Sequence, residues 1–283
     1  LLGALADRTK KYKLYHSGGC ELGERTVRPH LYALKKLGVE IEMKGQYYEV
    51  KNNTLKGAEV VMYEAGDTPT ENVIMAAVLA SGTTVIKYAS ANYMVQDLCY
   101  FLKKAGAKIE GIGTSTLKIK GVAKLKPVPR YHVMPDPLEA MAFISLGIST
   151  KSELTIKNCP LDFLELELEK LSVMGQKIEF KNRHLSKNGH FSIVDIVIKL
   201  SSLTALTDKI HAMPFPGINI DNIPFFVPIA TQAKGRTLIH DWMYENRATQ
   251  YLLFSKLGAK LDLLDPHRIF IEGPCKLKSR NLV

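Results

Sequence analysis

The sequence predicts an α/β protein (α+β in some schemes) of two similar domains, each assembled from β-α-β-α-β-β repeats. Three observations lead there. The chain has 283 residues, more than one typical domain of ~100–150 residues. Four segments close a helix in the same way: ALKKLGVEIE (33–42), FLKKAGAKIE (101–110), KLSVMGQKIE (170–179) and LFSKLGAKLD (253–262). Their glycines, Gly38, Gly106, Gly175 and Gly258, stand 68, 69 and 83 residues apart. The position after a helix favours glycine, which takes positive φ without steric cost. The alternating apolar and charged residues that follow each glycine read as a strand. Short strands precede three of the glycines: TTVIKYA, ELTIKNC and RTLIHDW, with Ile86, Ile156 and Ile239 lying 20, 19 and 19 residues ahead.

The second repeat is the clearest. AEVVMYE (58–64) reads as a strand. Thr68, Pro69 and Glu71 then read as N-cap, N1 proline and N3 glutamate of a helix running through Val73, Ile74, Ala77 and Val78 to Gly82. Strand TTVIKYA and a second helix follow, with Val95, Leu98, Leu102 and Ala105 on one face. That helix stops at Gly106, and strands form near KIEGI and TLKIKG. In the third repeat Asp136-Pro137-Leu138-Glu139 renews the cap logic. Pro160 is expected to start a helix with Leu161, Leu164, Leu168 and Leu171 inward and Asp162, Glu165, Glu167 and Glu169 mostly outward. The junction is placed in LKPVPRY (125–131), where Pro127 and Pro129 disfavour regular structure. The expected domains are 1–129 and 130–283. Five basic residues around the junction, Lys118, Lys120, Lys124, Lys126 and Arg130, read either as a solvated linker or as the lining of a cleft for an anion.

Composition narrows the function classes. Apolar residues make up 46% and charged residues 23%, which excludes a wholly disordered chain, a collagen and a coiled coil. The net charge of +10 points to an anionic partner or to a scattered lysine surface. Nucleic acid is not the expected partner, since no aromatics interleave with Lys and Arg and no reader motif appears. No apolar run reaches the ~18 residues needed to cross a bilayer. Cys20, Cys99, Cys159 and Cys275 are too scattered for a zinc site or a disulfide framework. The expectation is a cytoplasmic protein with reduced thiols. The chain opens without Met, in what reads as mid-helix, so it is expected to be a piece of a longer protein.

Three segments carry candidate chemistry. His16-Ser17-Gly18-Gly19-Cys20-Glu21-Leu22-Gly23-Glu24-Arg25 is a glycine-rich loop. Cys20 there is a reactive cysteine or a chance loop thiol, and Arg25 lies near enough to favour a thiolate or hold a phosphate. MPFPGINIDNIPFF (213–226) is an irregular turn delivering Asp221 to a helix start. There Asp221 or Asn222 caps the helix, or Asp221 accepts a substrate proton. Tyr244-Glu245-Asn246-Arg247 follows a strand and begins a helix. Arg247 meets an anionic group, or pairs with Glu245 or Asp241. Cys99 sits on the apolar face of its helix and reads as packing.

These pieces, in this order on this repeat, resemble the UDP-N-acetylglucosamine 1-carboxyvinyltransferase family of enolpyruvyl transferases. The likeness covers essentially the whole chain and rests on GGCELGER (18–25), GAEVVMYEAGDTPTENVIMAAVLASGTTVI (57–86), YHVMPDPLEA (131–140), FPGINID (215–221) and YENR (244–247). It implies two inside-out, α/β-barrel-like domains, with one repeat absent from each domain of this chain. It also implies transfer of the enolpyruvyl group of phosphoenolpyruvate to the 3′-hydroxyl of UDP-N-acetylglucosamine, with release of phosphate, in peptidoglycan synthesis. By the same resemblance Cys20 protonates or bonds phosphoenolpyruvate and Asp221 is the base. Arg25 binds phosphate, and Arg247 faces the pyruvyl carboxylate. Gly18, Gly19 and Thr68 lie in substrate-binding segments. The departures are Arg28, where the family reads an acid that helps recognise the uridine end, and Asn92 and Met94, where it carries acids. They keep two alternatives open: a paralogue that binds a nucleotide sugar without turnover, and a transferase for another nucleoside or sugar acceptor.

Overall fold

The computed structural model describes residues 1–16 and 26–279. The chain divides into two units, one running to Tyr131 and the other beginning at His132.

The first unit contains α1 (Leu2–Leu5), β1 (Lys11–Tyr15), α2 (Arg28–Lys36), β2 (Val39–Lys44), β3 (Tyr47–Asn52), β4 (Glu59–Val61), α3 (Asp67–Ala77), β5 (Thr83–Lys87), α4 (Tyr93–Lys104), β6 (Lys108–Glu110) and β7 (Thr116–Lys120). The second contains α5 (Pro137–Ser149), β8 (Leu154–Pro160), α6 (Glu165–Val173), β9 (Ile178–Leu185), β10 (Ser192–Ile198), β11 (Ile210–His211), α7 (Ile223–Ala230), β12 (Gly235–His240), α8 (Arg247–Gln250), α9 (Leu253–Lys256), β13 (Lys260–Asp265) and β14 (Arg268–Gly273).

Four sheets repeat one topology. Two have four strands, ordered β4-β5-β7-β6 and β11-β12-β14-β13, and two have three, ordered β1-β3-β2 and β8-β10-β9. In the four-stranded sheets the first pair is parallel, with Val60 opposite Ile86 and Ile210 opposite Ile239, and the other pairs are antiparallel. The three-stranded sheets follow the same order without that first strand. The expected β-α-β-α-β-β unit is therefore fully formed twice. The helix-end glycines mark it four times: Gly38, Gly106, Gly175 and Gly258 have φ of +101°, +101°, +98° and +93°. At Gly106 a Cβ would meet nothing within 4 Å, so Gly106→Ala isolates the backbone cost. A loss of about 1–2 kcal/mol in unfolding free energy is expected from denaturant midpoints; an unchanged midpoint would contradict it.

Layering follows from hydrophobic patterning. α3, α5 and α7 are apolar on most sides and bury most of their residues. Strands such as β7 alternate instead, burying Leu117 and Ile119 and exposing Thr116, Lys118 and Lys120, whereas β10, central in its sheet, is buried along nearly its whole length. The helices α3, α5 and α7 thus lie in the interior of their units, and β7 turns a charged face outward. Each sheet is open, and none closes as a barrel among the described residues. Each unit has its own core. One gathers Leu34, Val50, Ile74, Ile86, Val95 and Ile119, and the other Met141, Ile144, Leu164, Leu171, Ile196 and Phe226.

Local expectations hold unevenly. Asp136 caps α5, accepting from the Leu138 amide at 2.8 Å. Cys99 is fully buried on α4, and burial pushes its thiol up to about 12. Pro160, expected to open a helix, instead ends β8; a 3₁₀ turn over Leu161–Phe163 follows, and α6 begins at Glu165. The proline tolerates the strand end because β8 lies at its sheet's edge. Glu167, expected to face outward, is only 2% exposed.

Candidate functional site

In the second unit the site is built on the turn leading into α7. Pro214 and Pro216 have no amide to donate, and Gly217 closes on Met213, where a Cβ would lie 2.4 Å from the Met213 Cβ. The amide of Met213 donates to the Ile218 carbonyl at 3.1 Å. A 3₁₀ turn over Ile220–Asn222 then carries the chain into the helix. Asn222 holds the N-cap position of α7, as one of the two expected residues, but its side chain makes no capping hydrogen bond. The side-chain cap is on the 3₁₀ turn and comes from Asn219, which accepts from the Asp221 amide at 2.9 Å. A cap two residues earlier leaves the Asp221 carboxylate free to point elsewhere, and its side chain is 47% exposed.

Arg247 holds that carboxylate from behind. Its Nη1 donates to Asp221 Oδ1 at 3.2 Å, and its Nη2 donates to the Ile220 carbonyl at 2.6 Å. The rest of the guanidinium forks onto Asp241, with Nε to Oδ2 at 2.5 Å and Nη2 to Oδ1 at 2.9 Å. Of the two acids near it in sequence, Arg247 therefore pairs with Asp241 rather than Glu245. Asp241 is fully buried and also accepts from Tyr251 Oη at 2.5 Å. The guanidinium lies 4.4 Å from the Tyr244 ring centroid, a cation–π arrangement. Burial works against the charge on Arg247, but the Asp241 hydrogen bonds and charge outweigh it and raise its pKa. Burial first, and the Asp241 carboxylate second, push the Tyr251 phenol up. Arg247 is thus a fixed cation beneath a half-exposed carboxylate.

Glu167 of α6 reaches the same turn, which sequence reasoning missed. Its Oε1 accepts from the Asn219 amide at 3.2 Å and from Asn222 Nδ2 at 2.8 Å. Burial raises its pKa, opposed by the Asn222 hydrogen bond. The signal was present in the spacing. Position 167 lies three residues after Leu164 and four before Leu171, on the buried stripe.

In the first unit Thr68 stands in the opening turn of α3 but does not cap it. The cap position is Gly66, and the helix begins at Asp67. The reason is the Asp67 carboxylate, which accepts from Ser90 Oγ and, at 2.9 Å, from Asn92 Nδ2. This draws residue 67 into the first turn and links α3 to α4, whose own cap is Asn92. Thr68 is exposed, and its carbonyl accepts from Asn72 Nδ2 at 2.9 Å. Asn72 Nδ2 also lies 3.2 Å from His30 Nδ1, and burial lowers the His30 pKa. Arg28 opens α2 and lines a cavity of about 320 Å³ with Leu31, Tyr32, Lys35 and Tyr63 among others.

Gly18, Gly19, Cys20 and Arg25 fall outside the described residues. Among the described cysteines, Cys99 and Cys159 are buried and free, with the Cys159 thiol pushed by burial to about 11. Such thiols are poor nucleophiles at neutral pH. Among the described residues no group of three His, Cys, Asp or Glu is arranged to hold a metal ion, and no helix is long and apolar enough to cross a membrane.

Known proteins resemble this chain. A UDP-N-acetylglucosamine 1-carboxyvinyltransferase of Borreliella burgdorferi is 36% identical over 282 residues, spanning 100% of this chain and 65% of its own length. The enzyme of the same name from Treponema denticola is 36% identical over 284 residues, spanning 99% and 65%. The chain therefore spans about 65% of the length of these curated relatives. Among solved structures, the enolpyruvyl transferase NikO from Streptomyces tendae superposes with a TM-score of 0.78 at 19% identity, over 97% of this chain and 62% of that one. An EPSP synthase from Acinetobacter baumannii superposes with a TM-score of 0.69 at 19% identity, over 98% and 63%. At that identity the likeness shows the fold, which is that of the enolpyruvyl transferases. The family described as EPSP synthase (3-phosphoshikimate 1-carboxyvinyltransferase) matches residues 1–282, and the chain belongs to it.

Proposed function

We propose that this chain is part of an enolpyruvyl transferase that joins phosphoenolpyruvate to the 3′-hydroxyl of UDP-N-acetylglucosamine and releases phosphate. The observation that carries the reading is Asp221: a half-exposed carboxylate on a capped turn, braced by the buried Arg247. In the addition step Asp221 accepts the proton of the attacking sugar hydroxyl as its oxygen bonds to C2 of phosphoenolpyruvate. Cys20 supplies a proton to the methylene carbon. In the elimination step the Cys20 thiolate takes a proton back from that carbon, the C2–O bond to phosphate breaks as the enol ether forms, and the proton held by Asp221 leaves with the phosphate to solvent. Arg25 holds the departing phosphate as a cation that stays charged. Arg247 acts on the sugar end by fixing Asp221. No metal or organic cofactor enters these steps. Gly18, Gly19 and Thr68 contribute backbone and hydroxyl donors to the substrates. The domains are assigned as 1–129, with the cysteine loop, and 130–283, with the aspartate. The free thiols of Cys99 and Cys159 fit a cytoplasmic setting.

Phosphate release is expected to require both substrates. An epoxide analogue of phosphoenolpyruvate is expected to label Cys20, read as one mass adduct that disappears in Cys20→Ala. Turnover with another nucleoside or sugar and none with UDP-N-acetylglucosamine would overturn the acceptor. Absence of the adduct would overturn the role of Cys20.

A second reading, binding without turnover, is favoured by Arg28, an exposed cation lining the cavity at the start of α2. Calorimetric binding of the nucleotide sugar without phosphate release would support it.

A further inference from the structure

Two residues flank Asp221 closely, Asn219 and Asn222, and both are tied to one carboxylate oxygen from a different element. Glu167 Oε1 accepts from the Asn219 amide and from Asn222 Nδ2 across more than 50 residues of sequence. Asn222 is fully buried and Glu167 nearly so. Neither donor is a cation, so the carboxylate is buried without charge compensation from these partners. Asn222 Oδ1 has no hydrogen-bond partner among the described residues. Both features cost stability, and a well-packed apolar pair would cost less. What the arrangement supplies is direction. Asn219 in turn accepts from the Asp221 amide through its side chain and from the Asn222 amide through its carbonyl at 2.9 Å. Release of Asn219 therefore releases both acceptors that shape the turn. Arg247 holds the opposite side, at the Ile220 carbonyl and Asp221 Oδ1.

We propose that Glu167 is a positioning residue for Asp221: its buried carboxylate, bonded to Asn219 and Asn222, aims the Asp221 carboxylate at the acceptor hydroxyl. The inference rests on the proposed reaction for what Asp221 does, and on geometry alone for what Glu167 holds. Glu167→Met keeps the length of the side chain and removes the acceptor. Glu167→Gln keeps an acceptor oxygen at the same place. Asn222→Leu removes one donor and leaves the bond to the Asn219 amide.

The test uses the 283-residue chain. In Glu167→Met, amide hydrogen exchange at Asn219, Asp221 and Asn222 is expected to rise by about tenfold or more. Exchange at Val194 and Ile196 in β10 is expected to stay within about threefold of wild type. The kcat for phosphate release is expected to fall by about tenfold or more, with KM for the nucleotide sugar within about threefold. Glu167→Gln is expected to restore both readouts. If Glu167→Met does not fold, Asn222→Leu replaces it, with the same pattern expected at Asp221 and Asn222. Wild-type exchange at the turn, or an equal rise at the turn and in β10, would overturn the proposal, as would failure of Gln to restore what Met removes. If this part of the enzyme shows no turnover by itself, the kinetic readout is taken on the full-length protein, and the exchange pattern decides what Glu167 holds independently of it.

Discussion

Arg247→Met is expected to lower the unfolding free energy by about 3–5 kcal/mol. Asp241 has no exposed surface and accepts two hydrogen bonds from the guanidinium. Removing the arginine leaves a buried carboxylate with Tyr251 as its remaining side-chain partner. Burying a charge without compensation is among the costliest single changes a domain can suffer. The Ile220 carbonyl loses its donor in the same substitution. Arg247→Lys is expected to recover only part of the loss, because a single ammonium cannot reproduce a planar fork spread over Asp241, Ile220 and Asp221. The lone tryptophan, Trp242, adjoins Asp241 in sequence and donates to the Ala212 carbonyl at 2.8 Å. Its fluorescence during urea titration is therefore a local readout of this network. A loss below about 1 kcal/mol in Arg247→Met would show that the Asp241 carboxylate has other compensation.

Asp221→Asn is expected to do the reverse, sparing the fold and removing turnover. The side chain is half-exposed and has one ion-pair contact, at 3.2 Å. Such contacts contribute about 1 kcal/mol or less, so the urea midpoint should stay close to wild type. An amide oxygen still accepts from Arg247, but an amide cannot take a proton from a sugar hydroxyl. The kcat for phosphate release is expected to fall by about a hundredfold to ten-thousandfold. A fall smaller than tenfold would remove Asp221 as the base. The two variants test different expectations at one turn: loss of stability when Arg247 is removed and, under the proposed reaction, loss of turnover with the fold spared when Asp221 is changed.

Much of the fold was legible because its marks are local. A glycine that must take positive φ is marked by its own lack of a Cβ, wherever it lies in the chain. The Asp136 cap was legible for the same reason, since its acceptor and donor lie two residues apart. The site was legible as residue types in segments, and the family likeness pointed to Asp221 and Arg247. Their partners were not. Thr68 fits a capping pattern, yet the helix begins at Asp67 because Ser90 and Asn92, more than 20 residues on, bind the Asp67 carboxylate. Sequence proximity offered Arg247 two acids, and burial chose Asp241.

What the sequence by itself determined is the period: four helix-to-strand units, each ended by a left-handed glycine and each carrying one apolar stripe. Backbone sterics and side-chain periodicity act over a few residues, so they are written in the order of the chain. Which polar groups meet inside was decided only by the tertiary structure. A carboxylate loses its water wherever packing buries it and must then find donors from any element that reaches it. Glu167 found its donors more than 50 residues away and Arg247 braced the same turn from the other side, so the direction of Asp221 belongs to the folded unit rather than to its own segment.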